Sequence, residues 1–475
     1  MSLNSVLQTN QSQTDLLVES YKATQQNKID SLTNRRTLLQ SRQSFYTNLN
    51  TRINSLSSQI DKFKAADAID KFFAKSVTSS DASIATASSK SDGTIGNNTL
   101  KVNQLASNDL LITSRLNLGD NFGEDAGDKT FEFTIGDVTK EVSVTFDGTE
   151  TNEQAMKKIV QAINSAADLD INAAFVKDTT TTGRLSLTAK NTGSDNRIRF
   201  SESTVLDKLG LNPTALLSDT NTRVLSTETG AGFRREDFSD LDAKFELNSI
   251  NITRGSNTVT DVLDGLTINL LKTQEQDASP ITLSTTVNTK SVEDFVKGLL
   301  TSINDVMSSI NQNKDIRRND SAVTGLLQNL RNVALTKFTD SAEDGYQYLV
   351  DVGIKFDNSG FLVISDSDKF KTALESDPQK LADLFSGENG IAKRVEELIS
   401  PFKGNSGLVS ERNKNLKTQI DSTSKRLADT ESRIETQANA LRRQYQSYLK
   451  LFYEAQNQNT YLSGFITQGS ENGLF

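Results

Sequence analysis

Chemistry in a protein begins with side chains that can take a proton, hold a metal or attack a carbonyl, and this chain is short of them. Its 475 residues include no histidine, no cysteine and no tryptophan. That removes imidazole bases, thiolate nucleophiles, disulfides and nearly every zinc site that proteins build. Carboxylates are plentiful at 61, but a lone carboxylate needs a partner to act on a substrate. Asp366 and Asp368 form a D-x-D where a helix is expected to start, and capping accounts for them. Asp357, Asn358, Ser359 and Gly360 resemble part of a calcium loop but lack its further ligands and distal glutamate, so a plain turn is expected. Gly230, Ala231 and Gly232 open a G-x-G that no third glycine completes; they read as linker. No G-x-x-x-x-G-K-[ST] loop occurs, and H-E-x-x-H is impossible without histidine. The N-x-T triplets at Asn97 and Asn251 arise often by chance. A carboxylate-based glycosidase is disfavoured because no aromatic-lined cleft can be argued. The expectation is a chain that is not an enzyme, with no catalytic residues, no cofactor and no metal site.

The elements that would position any site point the same way. A chain of this length exceeds what one hydrophobic core usually serves. Its 35% hydrophobic and 24% charged content is polar for a globular protein but too aliphatic for wholesale disorder. The net charge of −9 would repel phosphate backbones and anionic lipid, so nucleic acid is not an expected partner. No apolar run approaches the ~20 residues of a membrane span, and the first residues lack the charged and apolar regions of a secretory signal. Export, if it occurs, would take another route.

Both ends carry helical periodicity. Neither proline nor glycine occurs from 15 to 64, and Ile53, Leu56, Ile60 and Phe63 alternate steps of three and four. At the other end Ile420, Leu427, Ile434, Leu441 and Tyr448 recur every seven residues, with Leu416 and Leu451 on the companion position. This pattern predicts a coiled-coil-like stalk built from both ends, with these residues as its packing and oligomer interface. Thr423, Thr430, Gln437 and Gln444 share the register, so the seam is thin.

Between the ends lie short β-type runs, at 130–135, 140–146, 184–189 and 197–201, with one amphipathic helix from about 152 to 167. Further strands are expected over 243–253 and 258–271, with partners from 76–105. The chain therefore reads as α+β, elongated and multidomain, with β-rich head domains one inserted into the other. Residues 1–72 form an N-terminal stalk segment, 73–108 with 232–285 an inner head domain, and 109–231 an inserted outer head domain. Residues 286–405 form a helical base and 406–475 the C-terminal stalk segment. Within the base, Val292 to Ile310 form an apolar stripe capped by Ser291; a helix follows over 322–338, a hairpin from 348–354 and 360–364, and short helices from Ser367 and Pro378.

Three segments resemble one family. NSINITRGSNTVTDVLDGLTINLL at 248–271, DVGIKFDNSGFLVISDSDKF with ESDPQKLADLF across 351–385, and the YLSGF tail with Leu462 and Phe465 are similar to the flagellar filament cap proteins, also called hook-associated protein 2. Residues 131–200, with the helix ending Ile163-Asn164 and the strand Arg184-Leu185-Ser186-Leu187, look like the repeat module of flagellins, hooks and their caps. The resemblance implies an oligomeric lid at the filament tip whose legs reach into the filament and whose mismatched symmetry leaves one insertion site open for a folding flagellin. It implies export unfolded, without a cleaved signal peptide, to an extracellular place at the flagellum tip. Its implied partners are copies of itself, flagellin, hook-associated junction proteins and, before secretion, a flagellar export chaperone. Leu462 and Phe465 would attach the cap to the filament. A hook-filament junction protein or a flagellin-like subunit is the nearest alternative, and an adhesin binding host glycans through its head is the second.

Overall fold

The computed structural model describes residues 3–216, 222–338 and 346–471, with side chains from 13 to 464. The chain falls into two compact units, Phe73–Val292 and Met1–Phe72 with Glu293–Phe475.

The unit Phe73–Val292 has two cores. In the inner one, a five-stranded antiparallel sheet runs in the order Lys75–Ser79, Ile281–Val287, Gly96–Gln104, Ala243–Leu247, Ile250–Arg254. A three-stranded sheet of Thr258–Val259, Leu266–Leu270 and Ala85–Ser89 accompanies it. Strict alternation buries Ala243, Phe245 and Leu247 on one strand and Leu266, Ile268 and Leu270 on another, as a sheet with one wet face requires. The stretch 243–253 is not one strand. Asn248 and Ser249 both adopt positive φ, 51° and 66°, the geometry of a two-residue hairpin turn, so the chain doubles back at Ile250. Similarly, 258–271 splits in two, with Gly265 at φ 73° between the parts.

The chain leaves this sheet after Gln104 and returns to it at Ala243. In between it builds the outer core from the hairpin Gly127–Ile135 with Val138–Phe146, the helix Asn152–Ser165 and the strand Thr182–Thr192 paired to Asn108–Ile112 and Ile171–Val176. The helix starts at Thr151, whose side chain and that of Gln154 form a capping box, and buries Ala155, Met156, Ile159 and Ile163. Gly232–Phe233 is not linker. It pairs with Leu111 and Ile112, Phe233 belongs to the outer core, and a Cβ on Gly232 would lie 2.5 Å from the Ser226 nitrogen. The two modules meet where Gly193, at φ 96°, lies against Gly255; a Cβ there would sit 2.4 Å from the Gly255 Cα. Beside it Asp242 accepts bonds from the Ser194 amide at 2.7 Å and hydroxyl at 2.8 Å.

The other unit is helical. It pairs an N-terminal helix, Leu3–Lys64, with a C-terminal helix, Leu408–Glu471. Its base contains Lys314–Asn319, Ser321–Val333, Ser367–Ser376, Pro378–Ser386 and Ile391–Ile399, with most of Thr289–Gln312. Asn288, not Ser291, caps the last of these: its side chain accepts from the Ser291 amide at 3.0 Å, because the helix begins two residues before Ser291. The hairpin is shorter than the sequence suggests. Leu349–Val352 forms a 3₁₀ turn closed by Gly353 at φ 77°, which leaves Ile354–Phe356 and Leu362–Ile364 as the strands. Asp366 caps the following helix through the Lys369 amide at 2.9 Å, and Asp357 closes its turn on the Ser359 and Phe361 amides.

Candidate functional site: the terminal helix pair

The two long helices run antiparallel. Asp15 pairs with Arg442 at 3.3 Å, Tyr21 donates to Gln437, Lys22 pairs with Glu435, and Thr47 meets Asn413. This register brings the C-terminal helix to its first turn about where the other helix reaches Ile53. From there on the N-terminal helix faces the base. Ile53, Leu56, Ile60 and Phe63 are fully buried, yet not in the helix–helix seam where periodicity put them. Phe63 stacks on Phe295 with centroids 4.1 Å apart, and Phe72 and Phe385 complete the aromatic cluster. A stripe of three-four spacing dictates that one face is covered, but not by what. Sealed inside one chain, these four residues offer nothing to a partner.

On the C-terminal helix the heptad series enters the seam and leaves it. Ile420 is half-buried, Leu427 and Ile434 are buried, Leu441 is half-buried and Tyr448 is 59% exposed. A straight helix drifts ~20° per heptad relative to a seven-residue repeat, so a series of five positions rotates off the contact face. Ala438, fully buried, takes over four residues after Ile434. Leu416, Thr423 and Thr430 are buried with them, and the Thr430 hydroxyl satisfies itself on the Arg426 carbonyl at 2.7 Å. On the N-terminal helix Val18, Leu39, Phe45, Tyr46 and Leu49 are buried over the same stretch. Leu451 is 59% exposed and Leu462 61%, so Tyr448, Leu451 and Leu462 all keep most of their surface open. The side chain of Phe465 lies outside the described residues.

Sequence reasoning missed the polar clasp at the foot of the pair. Asp320, with its side chain 5% exposed, caps Ser321–Val333 through the Ala322 and Val323 amides. It also accepts from the Tyr46 hydroxyl at 2.6 Å and meets the Arg412 guanidinium at 3.2 Å. One carboxylate thus ties both terminal helices to the base. Burial works against its charge, but the Tyr46 hydroxyl, the Val323 amide and Arg412 outweigh that and hold its pKa below the ordinary carboxylate value. The same burial, then the bond to Asp320, pushes the Tyr46 hydroxyl well above its usual pKa. Next to it Arg42 grips Asp315 in a fork, at 2.7 and 2.9 Å. The only local signal was the D-S-A-V at 320–323, which marks a cap and nothing more.

Among the described residues no group of acidic side chains is arranged to hold a metal ion, and no helix is long and apolar enough to cross a membrane. The arrangement offers surfaces and a tunable helix pair, and comparison with known proteins fits that character. The family description "Flagellar hook-associated protein 2 C-terminus" matches residues 241–457, and its N-terminal counterpart matches 10–109. The chain is 26% identical to the B-type flagellar hook-associated protein 2 of Pseudomonas aeruginosa over 420 residues, covering 82% of this chain and 85% of that one. It is 23% identical to the Salmonella typhimurium flagellar hook-associated protein 2 over 330 residues, 67% of this chain and 68% of that one. In three dimensions it is similar to the D1-D2-D3 domains of the flagellar cap protein of Escherichia coli, with a TM-score of 0.61 at 20% identity, covering 78% of this chain and 99% of that one. With the inner head sheet, the base and most of both terminal helices inside the matched regions, the chain belongs to the flagellar hook-associated protein 2 family, the flagellar cap proteins.

Proposed function

We propose that copies of this chain assemble into an extracellular lid at the tip of the flagellar filament, where exported flagellin folds beneath it and is inserted. The observation that carries this reading is the distal C-terminal helix, which exposes Tyr448, Leu451, Phe452, Tyr461 and Leu462 within fifteen residues. Exposed apolar rows of this size mark contact surfaces. Here they suit neighbouring copies and the filament, with Leu462 and Phe465 at the attachment end and junction proteins as earlier occupants of the same tip. The polar seam supports a leg that rearranges between insertions, since buried threonines give up packing energy for adjustability. Export without a cleaved signal peptide, with a flagellar chaperone before secretion, completes the reading.

The test is the amount of monomeric flagellin in the medium of a strain lacking the gene, against its parent. Flagellin lost to the medium, with filaments restored by this gene and not by one for a junction protein, is the expected result. Normal filaments in the deletion strain would end the proposal.

A further inference from the structure

The outer head module holds a cleft that filament capping leaves unused. Arg197, Arg199 and Arg223 line it together with Phe200, Phe233 and Phe238, around about 690 Å³ of space, within the range of roughly 300–1,000 Å³ that small-molecule sites occupy. Among the described residues that line it the charged ones are all basic, and the lining Thr214 donates to the Glu202 carboxylate at 3.3 Å.

The three guanidiniums are not equivalent. Arg223 is buried behind the wall, where it pairs with the equally buried Asp109 at 2.7 Å and lies over the rings of Phe233 and Phe238 at 4.1 and 5.0 Å. Asp109 also accepts from the Ile198 amide at 2.9 Å, so this pair is neutral and structural. Arg197 lies over Phe238 at 4.8 Å and donates to the Ser194 carbonyl at 3.0 Å. Arg199 donates to the Gly136 carbonyl. Among the described residues neither Arg197 nor Arg199 has a carboxylate partner, whereas Arg42, Arg115 and Arg254 each pair with one. Carbonyls orient these two side chains without cancelling their charge. Two held guanidiniums without a carboxylate partner among the described residues, one of them over the Phe238 ring, thus line the same cleft as apolar side chains.

We propose that this cleft binds a small amphipathic anion: a flat apolar body against the partly exposed Phe200 and Phe238, with a carboxylate, sulfonate or phosphate group on Arg197 and Arg199. The site is independent of the capping function. It also adjoins the joint between the modules, because the Ser194 that orients Arg197 is the one bonded to Asp242.

The experiment titrates the full-length protein with 1-anilinonaphthalene-8-sulfonate, followed by fluorescence and by the shift in thermal unfolding that a native-state ligand produces. Parallel titrations use the neutral N-phenyl-1-naphthylamine. We expect saturable one-site binding of the sulfonate, with the neutral amine at least about tenfold weaker, as loss of a charge-assisted contact implies. Arg197→Gln with Arg199→Gln should weaken the sulfonate about tenfold or more and leave the neutral amine unchanged. Equal binding of the two dyes, undiminished sulfonate binding by the double variant, or no saturable binding would each overturn the proposal. Should the double variant lose its near-ultraviolet circular dichroism, Arg199→Gln alone carries the test, because Arg199 is exposed; a sulfonate affinity equal to wild type then refutes the site.

Discussion

At the scale of single residues, Asp320 joins both terminal helices to the base through one carboxylate. Replacing it with alanine leaves the buried Tyr46 hydroxyl and two helix-start amides without their acceptor and frees the half-exposed Arg412 to turn to water. Breaking such a buried constellation from one side costs about 3 kcal/mol, so urea unfolding of Asp320→Ala should show that loss; a change below about 0.5 kcal/mol would strip the clasp of its role. The pH dependence has a definite sign. Folding lowers the Asp320 pKa, so its contribution is fully present above the unfolded value of about 3.9 and disappears as pH falls from there through the folded pKa. Acid titration of stability should therefore be shallower in Asp320→Ala than in wild type, and parallel curves would contradict the assignment. At the module joint, Gly193→Ala would force a Cβ to 2.4 Å from the Gly255 Cα in a backbone region with φ 96°. Overpacking and strain together predict a loss of about 2–3 kcal/mol, read as a lower melting temperature of the unit Phe73–Val292; an unchanged melting temperature would mean the modules separate freely.

At the scale of elements, the C-terminal helix divides into a stretch buried within the chain and a stretch that stays exposed. Leu427 and Ile434 are 5% and 7% exposed, and burying a charge at either costs several kcal/mol. The double change Leu427→Asp and Ile434→Asp should separate the helix pair and lower helicity by circular dichroism; an undiminished signal would show that the seam does not hold the pair. Tyr448→Asp and Leu451→Asp act on exposed positions, where surface changes stay within about 0.5 kcal/mol. They should leave the melting temperature alone yet fail to keep flagellin on the cells of a deletion strain. Full complementation by those variants would show that no partner uses this face. The contrast separates intrachain from interchain roles, which a periodicity of seven cannot do because it repeats unchanged through both stretches.

At the scale of the whole molecule, Leu462→Asp alters a side chain that is 61% exposed, so thermal unfolding should match wild type while flagellin escapes to the medium. A variant that caps as well as the wild-type chain would move filament attachment elsewhere. What the sequence determined by itself is local or subtractive. Missing histidine, cysteine and tryptophan narrowed the chemistry, helical spacing marked both ends, and alternation marked the strands around Phe131 and Phe245, because each depends on neighbours a few residues away. Family resemblance also lay in contiguous phrases, 248–271 and 351–385, readable without a fold. Tertiary structure alone decided the rest. It sent Phe63 into the base against Phe295. It gathered Tyr46 and Arg412 on the Asp320 carboxylate, and it brought Arg197 over Phe238 in one cleft with Arg223 and Phe233. Those outcomes rest on contacts between segments tens to hundreds of residues apart, and periodicity carries no term for which distant surface will arrive to cover a face.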